Sequence, residues 1–183
     1  PGRRQTLPEL VQEYLARRLI TAEIDRDAFV NKIRAAAGAR ESKDFLIIAR
    51  TDCRASLGLD EAIARVNAAL EAGADMAFVE AAQNLDEVAA IPRRVQGPCL
   101  LNLVWRGKTP DVPFADAEAM GYRIAILPGM LFKAVMATCD RVLEETRRTG
   151  RHGSPGMDLT PQQGFNRVGA LEWDEISRRY KVS

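Results

Sequence analysis

The chain has 183 residues, with 26 Lys and Arg against 25 Asp and Glu, a formal net charge of +1. That length allows one ordinary domain with a real core, but it falls short of the ~250 residues of a complete eight-stranded α/β barrel. Near-neutral charge argues against nucleic acid or an acidic membrane surface as a partner, and no apolar run approaches the ~20 residues that span a bilayer.

Pro1-Gly2-Arg3-Arg4-Gln5 is basic but lacks the apolar core of a signal peptide. Cys53, Cys99 and Cys139 are odd in number and widely spaced, with no Cys-x-x-Cys pair. They read as reduced thiols of a cytoplasmic protein, not as a disulfide frame or a zinc site. The only histidine, His152, lies in a Gly/Pro/Ser-rich segment, which leaves little material for histidine-based metal clusters or catalytic triads.

Leu7 to Leu19 predicts a helix, with Leu7, Leu10, Val11, Tyr14, Leu15 and Leu19 near helical spacing and Pro8 in the first turn. A second helix is expected from Asp25 to Ala39, with Phe29, Val30 and Ile33 inward. The run Phe45-Leu46-Ile47-Ile48-Ala49 then reads as a strand buried on both faces, as in parallel sheets. It ends on Arg50, Thr51 and Asp52. Ala55 to Gly58 reads as a loop. Glu61 to Ala72 reads as a helix, with Asp60 as N-cap or first-turn acid and Gly73 as its stop.

Met76 to Val79 is the next buried strand and ends on Glu80. Leu85 to Val95 is a helix that Pro92 ends or kinks. Cys99 to Val104 is a third strand with one polar residue, Asn102, in its apolar run. Phe114 to Met120 is a short helix closed by Gly121, and Arg123 to Leu127 a fourth strand ended by Pro128-Gly129. A long helix follows, Leu131 to Arg148, with Phe132, Val135, Met136, Cys139, Val142 and Leu143 expected inward. Gly150 to Asp158 is expected to be mobile. The last helix, Leu171 to Tyr180, carries Leu171, Trp173, Ile176 and Tyr180, a face suited to a partner subunit.

A β-α unit thus recurs four times at roughly 25–30-residue spacing, as successive βα units require, and right-handed crossovers make such a sheet parallel. The expected division is 1–24, an N-terminal helix outside this pattern; 25–149, the (βα) units; and 150–183, a linker and C-terminal helix. Strand-end residues Arg50, Glu80 and Asn102 fall at one rim, where ligands bind in parallel α/β proteins. An arginine grips a carboxylate at two points and offsets negative charge. A glutamate orients an arginine, binds a hydroxyl or moves a proton, and an asparagine amide donates to a carboxylate or carbonyl oxygen. Together they suit a small polyanionic acid with enolate-like charge development. The same residues also permit plain structural roles: an Arg50–Asp52 cap, an Arg50–Glu80 salt bridge, and a buried Asn102 amide satisfied by backbone. None is a nucleophile.

Several blocks resemble the isocitrate lyase / phosphoenolpyruvate mutase superfamily. They are Ile47-Ile48-Ala49-Arg50-Thr51-Asp52, Gly58-Leu59-Asp60-Glu61-Ala62-Ile63, Ala72-Gly73-Ala74-Asp75, Phe78-Val79-Glu80-Ala81, the Asn102 strand, Ile126-Leu127-Pro128-Gly129 and Gly164-Phe165-Asn166-Arg167-Val168-Gly169. The nearest branch holds methylisocitrate lyase, dimethylmalate lyase, oxaloacetate decarboxylase and carboxyvinyl-carboxyphosphonate phosphorylmutase. The resemblance implies (βα) units of a TIM-type barrel, here its fourth to seventh strands, and a magnesium ion. It implies carbon–carbon bond cleavage or decarboxylation of small 2-oxo or hydroxy di- or tricarboxylates through an enolate-like intermediate. Arg50, Glu80 and Asn102 are then the expected catalytic residues, and Thr51, Asp52, Leu127 and Pro128 the expected substrate-binding ones. A homo-oligomer, dimer or tetramer, is also implied. The family's metal-binding aspartates and its Cys-Gly-His loop have no match in this sequence, so the chain by itself is expected to be impaired. The alternatives are phosphonopyruvate or phosphoenolpyruvate mutase chemistry, and a non-catalytic half-barrel serving binding or assembly.

Overall fold

The computed structural model describes residues 24–180, so the helix expected over Leu7 to Leu19 lies outside the described residues. The fold divides into two compact units, one ending at Met130 and one beginning at Leu131.

In the first unit, α1 (Arg26–Ala39) starts at Asp25, whose side chain accepts from the Ala28 N–H at 2.7 Å and satisfies a first-turn donor. There follow β1 (Ile48–Thr51), α2 (Arg54–Leu57), α3 (Leu59–Glu71), β2 (Met76–Val79), α4 (Leu85–Arg94), β3 (Cys99–Asn102), α5 (Phe114–Met120) and β4 (Tyr122–Ile126). The strands form one parallel sheet in the order β1-β2-β3-β4. Every crossover steps in the same direction, which keeps the connecting helices on one face. That is the geometry of successive barrel units; a doubly wound sheet reverses its strand order.

Alternation along the strands assigns the two faces. Ala77, Val79, Cys99 and Leu101 turn toward the helices and join the main core, and Ile47 and Ala49 do so in a second cluster with Ala69 and Ala74. There α3 buries Ala62, Ile63, Val66 and Ala69 against β1 and β2, and α4 buries Val88 and Ile91. The Val and Ile side chains among them each contribute about 1.5–3 kcal/mol of transfer free energy. Tyr122 is buried beside them, and its hydroxyl donates to the Val88 carbonyl at 2.9 Å. On the opposite face Met76, Phe78 and Leu100 make a smaller cluster with Ile126 against it. Gly73 ends α3 at φ +109°, and a Cβ built there would lie 2.7 Å from the Ala37 Cβ. It both permits the turn and lets α1 approach.

β2 and β3 are buried on both faces, as expected: one face packs into the core beneath the helices, and on the other Met76, Phe78 and Leu100 pack on one another. β1 differs. The strand begins at Ile48, not Phe45, and its burial alternates. Phe45 is 68% exposed and Leu46 60%. β1 is an edge strand, and among the described residues nothing covers the Ile48 side of it. Ala55 to Gly58 is read as loop, but its first three residues fall in the short helix α2, which Gly58 ends.

The second unit holds α6 (Met130–Thr149, whose first residue closes the sheet unit), α7 (Pro161–Arg167) and α8 (Ala170–Arg179). The sequence groups the long helix with the (βα) units up to residue 149; the structure groups it, from Leu131 on, with the C-terminal helices. Its side chains expected inward are not buried: Phe132, Val135, Met136, Cys139 and Leu143 are exposed and Val142 is half-buried. Burying that stripe takes a covering surface that the described residues do not supply. The segment after α6, expected to be mobile, is tied back to it. Thr146 Oγ1 accepts from the Gly153 N–H at 3.0 Å, Glu145 accepts from the Ser154 N–H at 3.0 Å, and Arg141 donates to the Ser154 carbonyl at 2.9 Å. No helix among the described residues is long and apolar enough to cross a membrane.

Candidate active site

Parallel strands bring their carboxyl ends to one rim, and the register of the strands sets its rows. Arg50 pairs with Phe78, and Asn102 with Ile126. Extending the β1–β2 register by one residue, and the β2–β3 register by three, puts Asp52, Glu80 and Asn102 in the next row, on the face away from the helices. Arg50 stands one row deeper, its guanidinium 4.9 Å from the Phe78 ring centre, a cation–π contact that holds the side chain against the sheet.

The three strand-end residues singled out in the sequence meet. Asn102 Nδ2 lies 3.0 and 3.3 Å from the two carboxylate oxygens of Glu80. Arg50 Nη2 lies 3.2 Å from Glu80 Oε2. Asp52 also binds Arg50, accepting from Nε at 3.0 Å and from Nη2 at 2.7 Å. Hydrogen bonding to Asp52 raises the Arg50 pKa further above its ordinary value, so the guanidinium carries its charge at any working pH. Glu80 and Asn102 are largely withdrawn from solvent, whereas the Arg50 and Asp52 side chains are about half exposed or more.

Thr51 lies on the other side of the strand. It is buried toward the helices, and its Oγ1 accepts from the Cys53 N–H at 3.4 Å. Strand alternation separates it from Arg50 and Asp52. Leu127 and Pro128 stand after β4, in the wall of a cleft of about 360 Å³ whose opposite wall is the loop after β3, with Leu103, Trp105, Arg106 and Lys108. Arg106 turns that loop at φ +59°.

A brace behind the rim escaped the sequence reading. Ala81, directly after Glu80, takes φ +61°, a left-handed conformation unusual for a residue with a Cβ. The turn is held from behind: Glu87 accepts from the Gln83 N–H at 2.9 Å and forms a two-point ion pair with Arg54. Arg54 follows β1 and Glu87 opens α4, so this pair ties the loops after β1 and β2. Hydrogen bonding from Arg54 holds the Glu87 carboxyl below its usual range. Half of this brace is legible as Asn84-x-x-Glu87, with Asn84 capping α4. The Arg54 half, 33 residues away in sequence, has no local signal.

Among the described residues no three His, Cys, Asp or Glu side chains converge to hold a metal ion. Glu80, the best-placed carboxylate, is already compensated by Arg50. A magnesium site is not made up by these residues.

A family model described as phosphoenolpyruvate phosphomutase matches residues 19–147. A 2-methylisocitrate lyase of Aeropyrum pernix is 40% identical over 129 residues, which are 70% of this chain and 41% of that protein. The crystal structure of 2,3-dimethylmalate lyase, a PEP mutase/isocitrate lyase superfamily member, superposes with a TM-score of 0.77 at 35% identity, over 86% of this chain and 56% of that one. Phosphonopyruvate hydrolase, solved with oxalate and Mg, superposes with a TM-score of 0.69 at 28% identity, over 86% and 56%. The chain spans roughly half the length of these relatives. The fold is theirs, (βα) units of a TIM-type barrel, and the order of strands, the rim and the family match lead to one conclusion: this chain belongs to the phosphoenolpyruvate phosphomutase family, within the isocitrate lyase / phosphoenolpyruvate mutase superfamily.

Proposed function

We propose that this chain carries the acid-binding rim of a carbon–carbon bond lyase or decarboxylase acting on small 2-oxo or hydroxy di- or tricarboxylates. The observation that carries the reading is the contact of Arg50, Glu80 and Asn102, brought from three strands to one carboxyl-end rim. Arg50 spends Nε and Nη2 on Asp52 and Glu80, and its Nη1 edge serves a ligand carboxylate. A hydrogen bond to a charged group contributes about 1.5–3 kcal/mol, and the fixed cation offsets charge that develops on an enolate. Glu80 positions the substrate or moves a proton, with Asn102 holding its carboxylate in place. Leu127 and Pro128 supply an apolar wall, and Thr51 braces the strand end from behind.

The relatives' names speak for lyase-type chemistry broadly, and the phosphonopyruvate hydrolase complex holds magnesium. The described residues do not make up such a metal site, so no step of the reading passes through it. Metal stabilisation of an enolate is worth several kcal/mol, which makes these residues alone a slow catalyst.

The test is turnover of 2-methylisocitrate, 2,3-dimethylmalate, oxaloacetate and phosphonopyruvate in magnesium buffer. Slow cleavage of one or more of the first three, faster than phosphonopyruvate and lost in Arg50→Ala, is the expected result. Preferential turnover of phosphonopyruvate overturns it in favour of phosphonate chemistry.

The reading includes self-association. Among the described residues β1 and β4 each have one neighbouring strand, with Phe45, Leu46, Ile48 and Ile124 exposed. Unpaired edges and apolar faces of this kind call for a cover, most simply a second copy. Light scattering is expected to give a discrete dimer or tetramer; a stable monomer contradicts it.

A further inference from the structure

The chain leaves β2 by an unusual step. Strand alternation, continued past Val79, would put Ala82 on the same face as Glu80. Ala82 is instead 2% exposed and packs in the main core beneath the helices. The left-handed conformation of Ala81, φ +61°, makes this change of face directly after Glu80. A residue with a Cβ keeps such a conformation only where its surroundings enforce it, and residues so held cluster at functional sites. Glu87 supplies the enforcement. Its Oε2 accepts from the Gln83 N–H at 2.9 Å and from Arg54 Nε at 2.8 Å, and its Oε1 accepts from Arg54 Nη2. The Arg54 and Glu87 side chains are largely withdrawn from solvent, and their two-point pairing is charge-assisted. Arg54 stands two residues beyond Asp52, and Gln83 three beyond Glu80. The brace therefore joins the exits of the two strands that carry Arg50 and Glu80, whose side chains lie 3.2 Å apart.

We infer that Arg54 and Glu87 are positioning residues: by holding the Ala81 turn they fix the Glu80 carboxylate at the rim in the place from which it acts on the substrate. The inference rests on the reading that Arg50 binds an acid at this rim and Glu80 positions it or moves a proton. Arg54 and Glu87 act through the backbone between Gln83 and Glu80, not through the ligand. Without an acceptor for the Gln83 N–H, Ala81 returns to an extended conformation, and Glu80 leaves its place against Asn102 and Arg50. The chemistry then runs only in the fraction of molecules that still hold the turn. Binding depends on Arg50, which keeps its own hold on Asp52 and on the Phe78 ring. Loss of the brace should therefore separate turnover from binding. An ion pair that served stability alone would act differently, lowering the unfolding midpoint and leaving the turnover of the folded chain unchanged.

The experiment compares the unaltered full chain with Glu87→Ala and with Glu87→Ala combined with Ala81→Gly. Steady-state turnover is measured in magnesium buffer on whichever of 2-methylisocitrate, 2,3-dimethylmalate and oxaloacetate the unaltered chain cleaves fastest. Oxalate binding is measured in parallel by calorimetry. Glu87→Ala is expected to lower kcat about tenfold, the effect of leaving the turn to a Cβ-bearing residue without support, while oxalate affinity stays within about twofold. Glycine takes a positive φ without that penalty, so Ala81→Gly in the same chain is expected to bring kcat back to within about threefold of the unaltered value. An unchanged kcat in Glu87→Ala, or a loss that Ala81→Gly does not repair, overturns the inference and leaves the rim reading standing. Should Glu87→Ala fail to fold by circular dichroism, Glu87→Gln decides: it keeps an acceptor for the Gln83 N–H but drops the pair with Arg54, and a kcat equal to that of the unaltered chain overturns the inference. An unaltered chain that binds oxalate but turns over none of the three acids overturns the role given to Glu80, and the inference with it. One that does not bind oxalate overturns the acid rim itself.

Discussion

Arg50 holds Asp52 in a two-point grip, with Nε 3.0 Å and Nη2 2.7 Å from its carboxylate oxygens, on the rim proposed to bind an acid. The chain thus supplies its own carboxylate to the arginine. Asp52 is exposed, so the pair is worth little in water, about 0.2–1 kcal/mol. It nevertheless occupies the edge of the guanidinium best suited to a planar anion. Asp52→Asn removes the competing charge and is expected to tighten oxalate binding about twofold to fivefold, read by calorimetry. Weaker binding in the variant would place Asp52 on the ligand's side of the site.

Acid stability depends on a different cluster. Glu61, on α3, accepts from Arg26 and Arg65, and these hydrogen bonds lower its pKa from 4.5 to about 2. Arg65 is itself buried and donates to the Ile24 carbonyl at 2.6 Å, which fastens the start of α1 to α3. A carboxyl whose folded pKa lies below its unfolded value stabilises the fold fully above the unfolded value. That contribution is lost as the pH falls through the folded one. The ion pairs on α3 should therefore weaken between about pH 4.5 and pH 2. Urea denaturation across that window should show the unaltered chain losing about 1 kcal/mol more than Glu61→Gln, the figure being discounted for solvent screening. Parallel curves for the two proteins would contradict it.

Two glycines make opposite predictions from the same substitution. Gly73 has φ +109° and would place a Cβ 2.7 Å from that of Ala37, whereas Gly38, in the last turn of α1, has open space where its Cβ would go. Gly73→Ala should cost about 1–3 kcal/mol, through backbone strain and overpacking between α1 and α3. Gly38→Ala should add about 0.4–1 kcal/mol by restricting the unfolded chain. Urea midpoints measure both, and shifts of the same sign would contradict the packing described for α1.

Where a local signal and tertiary context agree, the fold was legible. Phe114–Met120 is a helix as read, because Gly121 closes it in a left-handed turn at φ +111°. Met76–Val79 is a buried strand as read, because Ala77 and Val79 pack into the helix-side core and Met76 and Phe78 into the cluster on the other face. β1 shifted by three residues for the reverse reason: an apolar run promises burial, but edge position is a property of the sheet. The helix α7 was missed although Thr160 and Gln163 form a capping box around Pro161, a signature visible in sequence. At the site, strand-end position brought out Arg50, Glu80 and Asn102. It did not show which way the Asn102 amide points, since that depends on a partner 22 residues away. Nor did it separate Thr51 from Asp52, which differ only in the parity of the strand.

The most direct test of the rim as an acid site is calorimetric titration of the full chain with oxalate, comparing the unaltered protein with Arg50→Ala and Glu80→Gln. The account predicts saturable binding that Arg50→Ala weakens at least about tenfold, the loss of one charge-assisted contact. Glu80→Gln should change it in the other direction or little, because it removes a negative charge beside the anion while keeping the side-chain length. Oxalate that fails to bind, or that binds Arg50→Ala as tightly as the unaltered chain, would contradict the account.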